Sequence, residues 1–296
     1  MCLLRQWSVA TGDVRTGLAR TSRGSQSRLG LLARCANMDL SEFVHKHTTL
    51  QLRRAFTQYR AGFVHASDEN YLALVNYGMR PTRPGAYFCT ECFAGDQIHF
   101  GMSYWRRDHQ LPGMNECSRH RKALSYVQEI SAFLEAPSCF ESRCYEISEI
   151  SARSHAAHPG IQRFLSLSRE FMLVRRPIDR TLAHRVIHER RSVLGFSQTE
   201  RGVFRYSQKS LLSDEIFSKF PRDWLISVVP EFVEKVLGVY LKKVDRFLHK
   251  GTASYSTNFY ILACIVLFES SDEVINSLNL RPGIGGRTIA LSSMTG

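Results

Sequence analysis

Residues 87–124 read YFCTECFAGDQIHFGMSYWRRDHQLPGMNECSRHRKAL, and they set Cys89-x2-Cys92 against Cys117-x2-His120 across a gap of 24 residues. A disulfide pair, a catalytic centre and a metal site all draw on such side chains. Two residues between ligands let one tight turn present both to the same ion, and four nitrogen or sulfur ligands close a tetrahedral shell. A catalytic zinc keeps an open fourth position, so four candidates point to a structural ion. The loop is longer than the roughly 12 residues of a DNA-reading finger and exceeds the 15 to 20 usual in ribbons. A ribbon-like or treble-clef-like module is expected, with Tyr87, Phe88 and Phe93 as a mini-core too small to fold without its metal.

The compartment favours the metal. Eight cysteines lie at positions 2, 35, 89, 92, 117, 139, 144 and 264, no signal-peptide pattern precedes them, and unpaired intracellular thiols stay reduced. The longest apolar run, residues 260–268 (YILACIVLF), is too short for a bilayer core of about 30 Å. The chain is therefore expected to be soluble and intracellular.

The 296 residues allow one large domain or two of ordinary size, and 44% hydrophobic content supports a packed core. A net charge of +12 suits contact with polyanions. Residues 1–37 carry six arginines against Asp13 alone, and read as a basic, disordered arm or a misassigned start ahead of Met38.

Asp39 and Glu42 form a capping-box pattern, and periodic apolar residues extend helix through Leu52, Ala55, Phe56 and Tyr59. A short helix is expected over 68–77. Residues 86–122 lose helical period, with a strand expected over 103–109. Residues 123–158 read as a short helix and connector. Beyond them the pattern is helical: Ile161, Phe164, Leu165, Ser168, Phe171 and Met172 share one face, Leu182, Val186, Val193 and Leu194 suit another helix, and a long helix should run from Val233 to Leu248. Pro159 and Pro177 stand where first-turn prolines belong. Short helices joined by tight turns resemble helix-turn-helix modules. The final helices are capped near Ser256 and at Ser270 or Ser271. The fold class is mainly α, a multi-module helical protein with a small zinc module. Its parts are an arm (1–37), an N-terminal helical part (38–85), the zinc module and connector (86–158), a helix-turn-helix-like region (159–280) and a tail (281–296).

Other clusters are weaker. His99 and His109 lack partners at x2 spacing. Cys139 and Cys144 with His155 and His158 are poorly spaced for a second metal site. His184 and His188 stand at helical spacing, but Arg185 sits where a general-base glutamate belongs, so both read as solvated. The glycine-rich residues 283–288 match no phosphate-binding loop, and no catalytic constellation is found. Tyr104, Trp105, Arg106 and Arg107, with Arg119, Arg121 and Lys122 nearby, read equally as a nucleic-acid surface or as core aromatics beside a solvated face with Asp108 as counter-ion. Arg205, Lys209, Lys242 and Lys243 extend the candidate contacts.

The strings CTEC and SYWRRDHQLPGMNECSRH resemble the signature of the TniQ family of TnsD/TniQ-like target-selection proteins, and similarity continues through the helical region from about residue 38 to 280. The Pro-rich opening segment and the additional CxxC ribbon of longer members are absent. The resemblance implies no chemistry of the chain's own. It implies zinc on Cys89, Cys92, Cys117 and His120, selection of an insertion site through attachment DNA or an RNA-guided complex, and recruitment of an AAA+ ATPase that engages the transposase. It also implies a bacterial cytoplasmic protein of a mobile element, acting in DNA recombination, with homodimerisation open.

Overall fold

The computed structural model describes residues 28–53, 55–57, 82–196, 210–245 and 256–280. The expected helix over 68–77, the expected tail and most of the arm lie outside them. The arm's end is helical: Arg28–Cys35 (α1) packs on Leu40–His47 (α2) and buries Ala33. The Asp39 carboxylate caps α2, accepting from the Ser41 and Glu42 amides at 2.8 and 3.1 Å, while Glu42 turns outward to Lys46 at 2.5 Å.

Helix does not run on to Phe56 as its periodicity suggests. After Leu50–Arg53 (α3), Phe56–Thr57 (β1) pairs in parallel with Ile178–Asp179 (β5). Phe56 stacks on Tyr260 with centroids 3.7 Å apart and packs on Phe171. Contacts distant in sequence override the local period here.

Ala86–Phe88 (β2), Ser125–Val127 (β3) and Tyr145–Glu146 (β4) form an antiparallel sheet in that order. Alternation divides its faces. Ala86, Phe88 and Val127 enter a small core with Phe93, Ala132 and Phe140, capped by Trp105. Tyr87, expected in that core, faces the other way and stacks on Tyr126, which in turn meets Tyr145. Between β2 and β3 lies a helix that the sequence pattern hid, Thr90–Phe100 (α4), closed by Gly101 at φ 72°. Its apolar side chains form no single stripe, and Ile98 and Phe100 are exposed. The strand expected over 103–109 is absent. Residues 103–106 have no ladder partner among the described residues, and Asp108–Gln110 forms a 3₁₀ turn.

The helical body contains Glu149–Ala157 (α5), Pro159–Leu173 (α6), Arg180–Val193 (α7), Leu212–Lys219 (α8), Arg222–Val228 (α9), Lys242–Asp245 (α10), Thr257–Leu267 (α11) and Ser271–Ser277 (α12). Apolar around its whole circumference, α11 is the buried axis against which α6, α7 and α8 pack. α6 begins on Pro159 and buries the expected face. Pro177 instead precedes β5, and Asp179 caps α7 by accepting from the Thr181 amide at 2.6 Å. The buried face of α7 is Ala183, Ile187 and Arg191, whereas Val193 and Leu194 are exposed. α12 is capped by the Ser270 hydroxyl, which accepts from the Glu273 amide.

The long helix over 233–248 is not formed in its described part. A 3₁₀ turn, Pro230–Glu234, is followed by a loop that turns at Gly238 with φ 76° before α10. Buried carboxylates hold this path. Asp245 accepts from Ser213 Oγ at 2.7 Å and from the Leu241 amide at 2.7 Å, and Lys235 is buried against Asp214 at 2.6 Å. Buried polar groups require such partners, and here they outweigh a periodicity that leaves Val236 and Leu237 in solvent.

Candidate metal centre

Chain geometry delivers the four side chains in two different ways. β2 runs directly into α4, so Cys89 occupies the N-cap and Cys92 the first turn, with the Phe93 amide donating to the Cys89 carbonyl at 3.0 Å. Cys117 and His120 lie on a knuckle in which the Cys117 amide donates to the Lys122 carbonyl and the Arg121 amide donates back to Cys117. Arg121 takes the left-handed conformation, φ 55°, that this turn requires. One ligand pair therefore lies at a helix start and the other on a knuckle, unlike the two knuckles of a ribbon.

The potential ligand atoms all lie within 4.8 Å of one another. His120 Nδ1 is 3.5, 3.4 and 3.7 Å from the sulfurs of Cys89, Cys92 and Cys117, and Cys92 Sγ is 3.7 Å from Cys117 Sγ. A tetrahedron with Zn–S near 2.3 Å and Zn–N near 2.0–2.1 Å has S–S edges of about 3.8 Å and S–N edges of about 3.5 Å. These four separations match those dimensions. Its sulfurs are far beyond disulfide length, and all three cysteines are free thiols.

The electrostatics also fit a dication. Hydrogen bonding to Cys117, with burial and the neighbouring sulfurs, drives the Cys89 thiol well above its ordinary range. Burial, followed by the Cys117 charge, pushes Cys92 up to about 11. Cys117 goes the other way, lowered first by the Cys89 hydrogen bond and then by His109 and the amides of His120 and Arg119. Protein groups alone sustain one thiolate, whereas a divalent cation neutralises the others. The three cysteines are buried and His120 is exposed, so the protein encloses the centre on the sulfur side.

Four further residues of the HQLPG stretch fasten this centre to the rest of the chain. His109 is buried and helps hold the Cys117 thiol below its ordinary range. Gln110 mimics a strand, accepting from the Tyr87 amide at 3.0 Å and donating to the Tyr87 carbonyl at 2.7 Å. Leu111 is fully buried in the main core together with Met114, Cys89, Cys92 and Cys117. Gly113 has φ 74°, and a Cβ there would lie 2.5 Å from Trp224, whose indole N–H donates to the Gly113 carbonyl at 2.9 Å. Sequence reasoning missed Arg83, 8% exposed, which donates to the Leu111 and Met114 carbonyls at 2.8 and 2.6 Å with its guanidinium over Tyr87. An isolated arginine in a Pro- and Gly-rich stretch carries no local signal of this role.

The remaining candidates disperse. Among the described residues the Cys3His set is the group close enough to hold an ion. Cys139 is exposed, Cys144 donates to the Glu141 carbonyl, and buried His155 bridges Asn115 and Asp223 at 3.0 and 3.1 Å. His184, expected in solvent, is half-buried against the Tyr260 hydroxyl at 3.0 Å, while His188 is exposed.

Most nominated cations already have partners. Arg106 pairs with Asp96 at 2.6 Å, so Asp96, not Asp108, is its counter-ion. Arg107 donates to the His45 and Thr48 carbonyls. Arg121 pairs with Glu116, Lys122 with Glu91 and Lys243 with Glu231. Arg119 and Lys242 are exposed, with no ion pair formed among the described residues; Arg205 and Lys209 lie outside them. Trp105 packs on Phe88 and donates to the Glu135 carbonyl at 2.8 Å, which makes it core.

The sequence model of the TniQ family matches residues 6–124. Over these residues the chain is similar to the TniQ family. The match contains all four cluster residues and the HQLPG stretch. The match starts within the basic arm and ends at Leu124, so the region of similarity differs from the 38–280 expected. No curated protein matches the chain. No helix among the described residues is long and apolar enough to cross a membrane.

Proposed function

We propose that this protein is a TniQ-like, non-enzymatic adaptor that carries one structural zinc, binds target or attachment DNA, and passes the chosen site to an AAA+ transposition ATPase in the bacterial cytoplasm. The observation that carries the reading is the coincidence of the TniQ match with a Cys3His cluster of tetrahedral dimensions. Zinc would supply charge neutralisation and a cross-link between α4 and the knuckle, with no open position for chemistry. In this reading the region over 159–280 is a separate helix-turn-helix-like module, with Leu212–Lys219 and Arg222–Val228 separated by a turn at Phe220 and Pro221. A second reading, a scaffold that docks on protein or guide-RNA assemblies with little affinity for DNA, is favoured by one observation: Arg106, Arg121 and Lys122 are already ion-paired.

Titration of the zinc-loaded chain with duplex DNA over a series of salt concentrations separates the two. The adaptor reading expects log K to fall by about 0.9 per log unit of salt for each neutralised phosphate. No binding, or a flat salt dependence, would leave the scaffold reading.

A further inference from the structure

A cleft of about 420 Å³ opens where β2 and β3 meet the start of α5 and α9, within the roughly 300–1,000 Å³ of small-molecule sites. Arg83 lines it and is 8% exposed. Its Nη1 is committed to the Leu111 and Met114 carbonyls at 2.8 and 2.6 Å, and its guanidinium lies 3.0 Å from the centroid of the Tyr87 ring. Neither partner is a carboxylate. Arg83 forms no ion pair among the described residues; burial lowers it to about 10, and Tyr87 alone works in the opposite direction. A buried cation without a counter-ion is costly, and carbonyls and a ring offset only part of that cost.

The start of α5 lines the same cleft, with Ser148 at its N-cap and Ser151 in its first turn. The Ser148 hydroxyl does not cap the helix, so the first-turn amides lack the acceptor that serine supplies at this position. Glu149, the acid of that turn, is off the cleft and accepts from the Ala123 amide at 3.2 Å. Asp223 is the one carboxylate among the described lining residues; its side chain is 67% exposed and meets His155 Nε2 at 3.1 Å. A buried guanidinium and an uncapped helix start therefore share one cavity, whose remaining wall includes the apolar surfaces of Tyr126, Ile147 and Trp224. We propose that this cleft binds a small ligand in which a compact oxyanion, phosphate or carboxylate, is joined to a planar ring. Arg83 and the α5 amides take the oxyanion, and Tyr126, already stacked on Tyr87 with centroids 5.3 Å apart, receives the ring. Gly113 and Trp224, whose hydrogen bond joins the cluster segment to the helical body, also line the cleft, so an occupant braces that joint. The site is separate from the Cys3His cluster and does not depend on the DNA-binding reading.

The test uses the full zinc-loaded chain with phenyl phosphate, benzoate and inorganic phosphate as probes. The Trp224 indole N–H signal should shift saturably, at one ligand per chain, with at least one of the two ring compounds, while that of Trp105 in the small core stays in place. Tighter binding of phenyl phosphate identifies a phosphate ester as the natural ligand class, and tighter binding of benzoate a carboxylate. Inorganic phosphate should bind more weakly than the preferred ring compound, because it gains nothing from Tyr126. Arg83→Gln should weaken binding at least about tenfold, and Arg83→Lys, which keeps the charge and loses the fork, by less. Ser151→Phe fills the cleft and leaves the bonds of Arg83 in place, so it keeps the test intact if the Arg83 variants fail to fold; it should lower affinity by at least about tenfold with an unchanged melt in the absence of ligand. The proposal is overturned if neither ring compound shifts Trp224 saturably, if Ser151→Phe binds as wild type does, or if inorganic phosphate binds as tightly as the preferred ring compound.

Discussion

The segment that carries the Cys3His cluster and the helical body reach stability by different routes. Between β2 and β4 the dedicated core is small, with Ala86, Phe88, Phe93, Val127, Ala132 and Phe140 packed around Trp105. The helical body instead threads α11 through a large core in which Phe164, Phe171, Trp224, Phe232 and Tyr260 are fully buried. A small core needs a cross-link, and the four-ligand cluster is placed to provide one. The two regions are not independent, however. Cys89, Cys92 and Cys117 count among the buried residues of the large core, and Leu111, Gly113 and Met114 form the joint.

The largest effect that tests this contrast should come from the cluster. Cys92→Ser should abolish stoichiometric metal by elemental analysis and lower Tm sharply, with near-ultraviolet signals of Trp105 and the tyrosine row lost before helical ellipticity. Metal retained at one ion per chain would sink the ligand assignment. Next comes the joint. Gly113→Ala meets both a positive φ and Trp224 at 2.5 Å, and should cost on the order of 2–4 kcal/mol in denaturant unfolding. A cost below about 0.5 kcal/mol would show that the approach of Trp224 to Gly113 is not required.

Gln110→Ala leaves the Tyr87 amide and carbonyl without their partner, and should cost roughly 1–3 kcal/mol, with metal retained. A smaller effect follows from pH. His45 and His47 titrate below their ordinary value in the folded chain, so the unfolded chain binds more protons near and below pH 6.5. Stability therefore rises with pH through that window, and the penalty is complete below the folded values. Replacing both residues by glutamine should flatten the difference in Tm between pH 7.5 and 6. An undiminished difference would place the pH dependence elsewhere. Smallest of all, Lys122→Ala removes an exposed pair with Glu91 and should leave Tm unchanged within error.

Much of the Cys3His cluster was legible because its information is local. Two x2 spacings specify two tight turns, and the turn geometry carries the ligands whatever the remainder of the chain does. The same holds for the Asp39 and Ser270 caps and for the apolar face of α6, each written within a few consecutive turns. Where periodicity failed, a distant partner had intervened. Phe56 left its helix for Tyr260 and Phe171, Tyr87 turned away from the mini-core to stack on Tyr126, and the 233–248 helix was interrupted where Asp214 and Asp245 bind its backbone.

By itself the sequence determined the mainly helical class, the grouping of Cys89, Cys92, Cys117 and His120, and the resemblance that the CTEC and HQLPG strings carry, because each is encoded over a short span. Only the tertiary structure decided which charges are spent and which are left over. Arg106, Arg121 and Lys122 look available in a linear reading, yet Asp96, Glu116 and Glu91 neutralise them. Ion pairing depends on separation in space, which a chain sets by packing and not by order of residues.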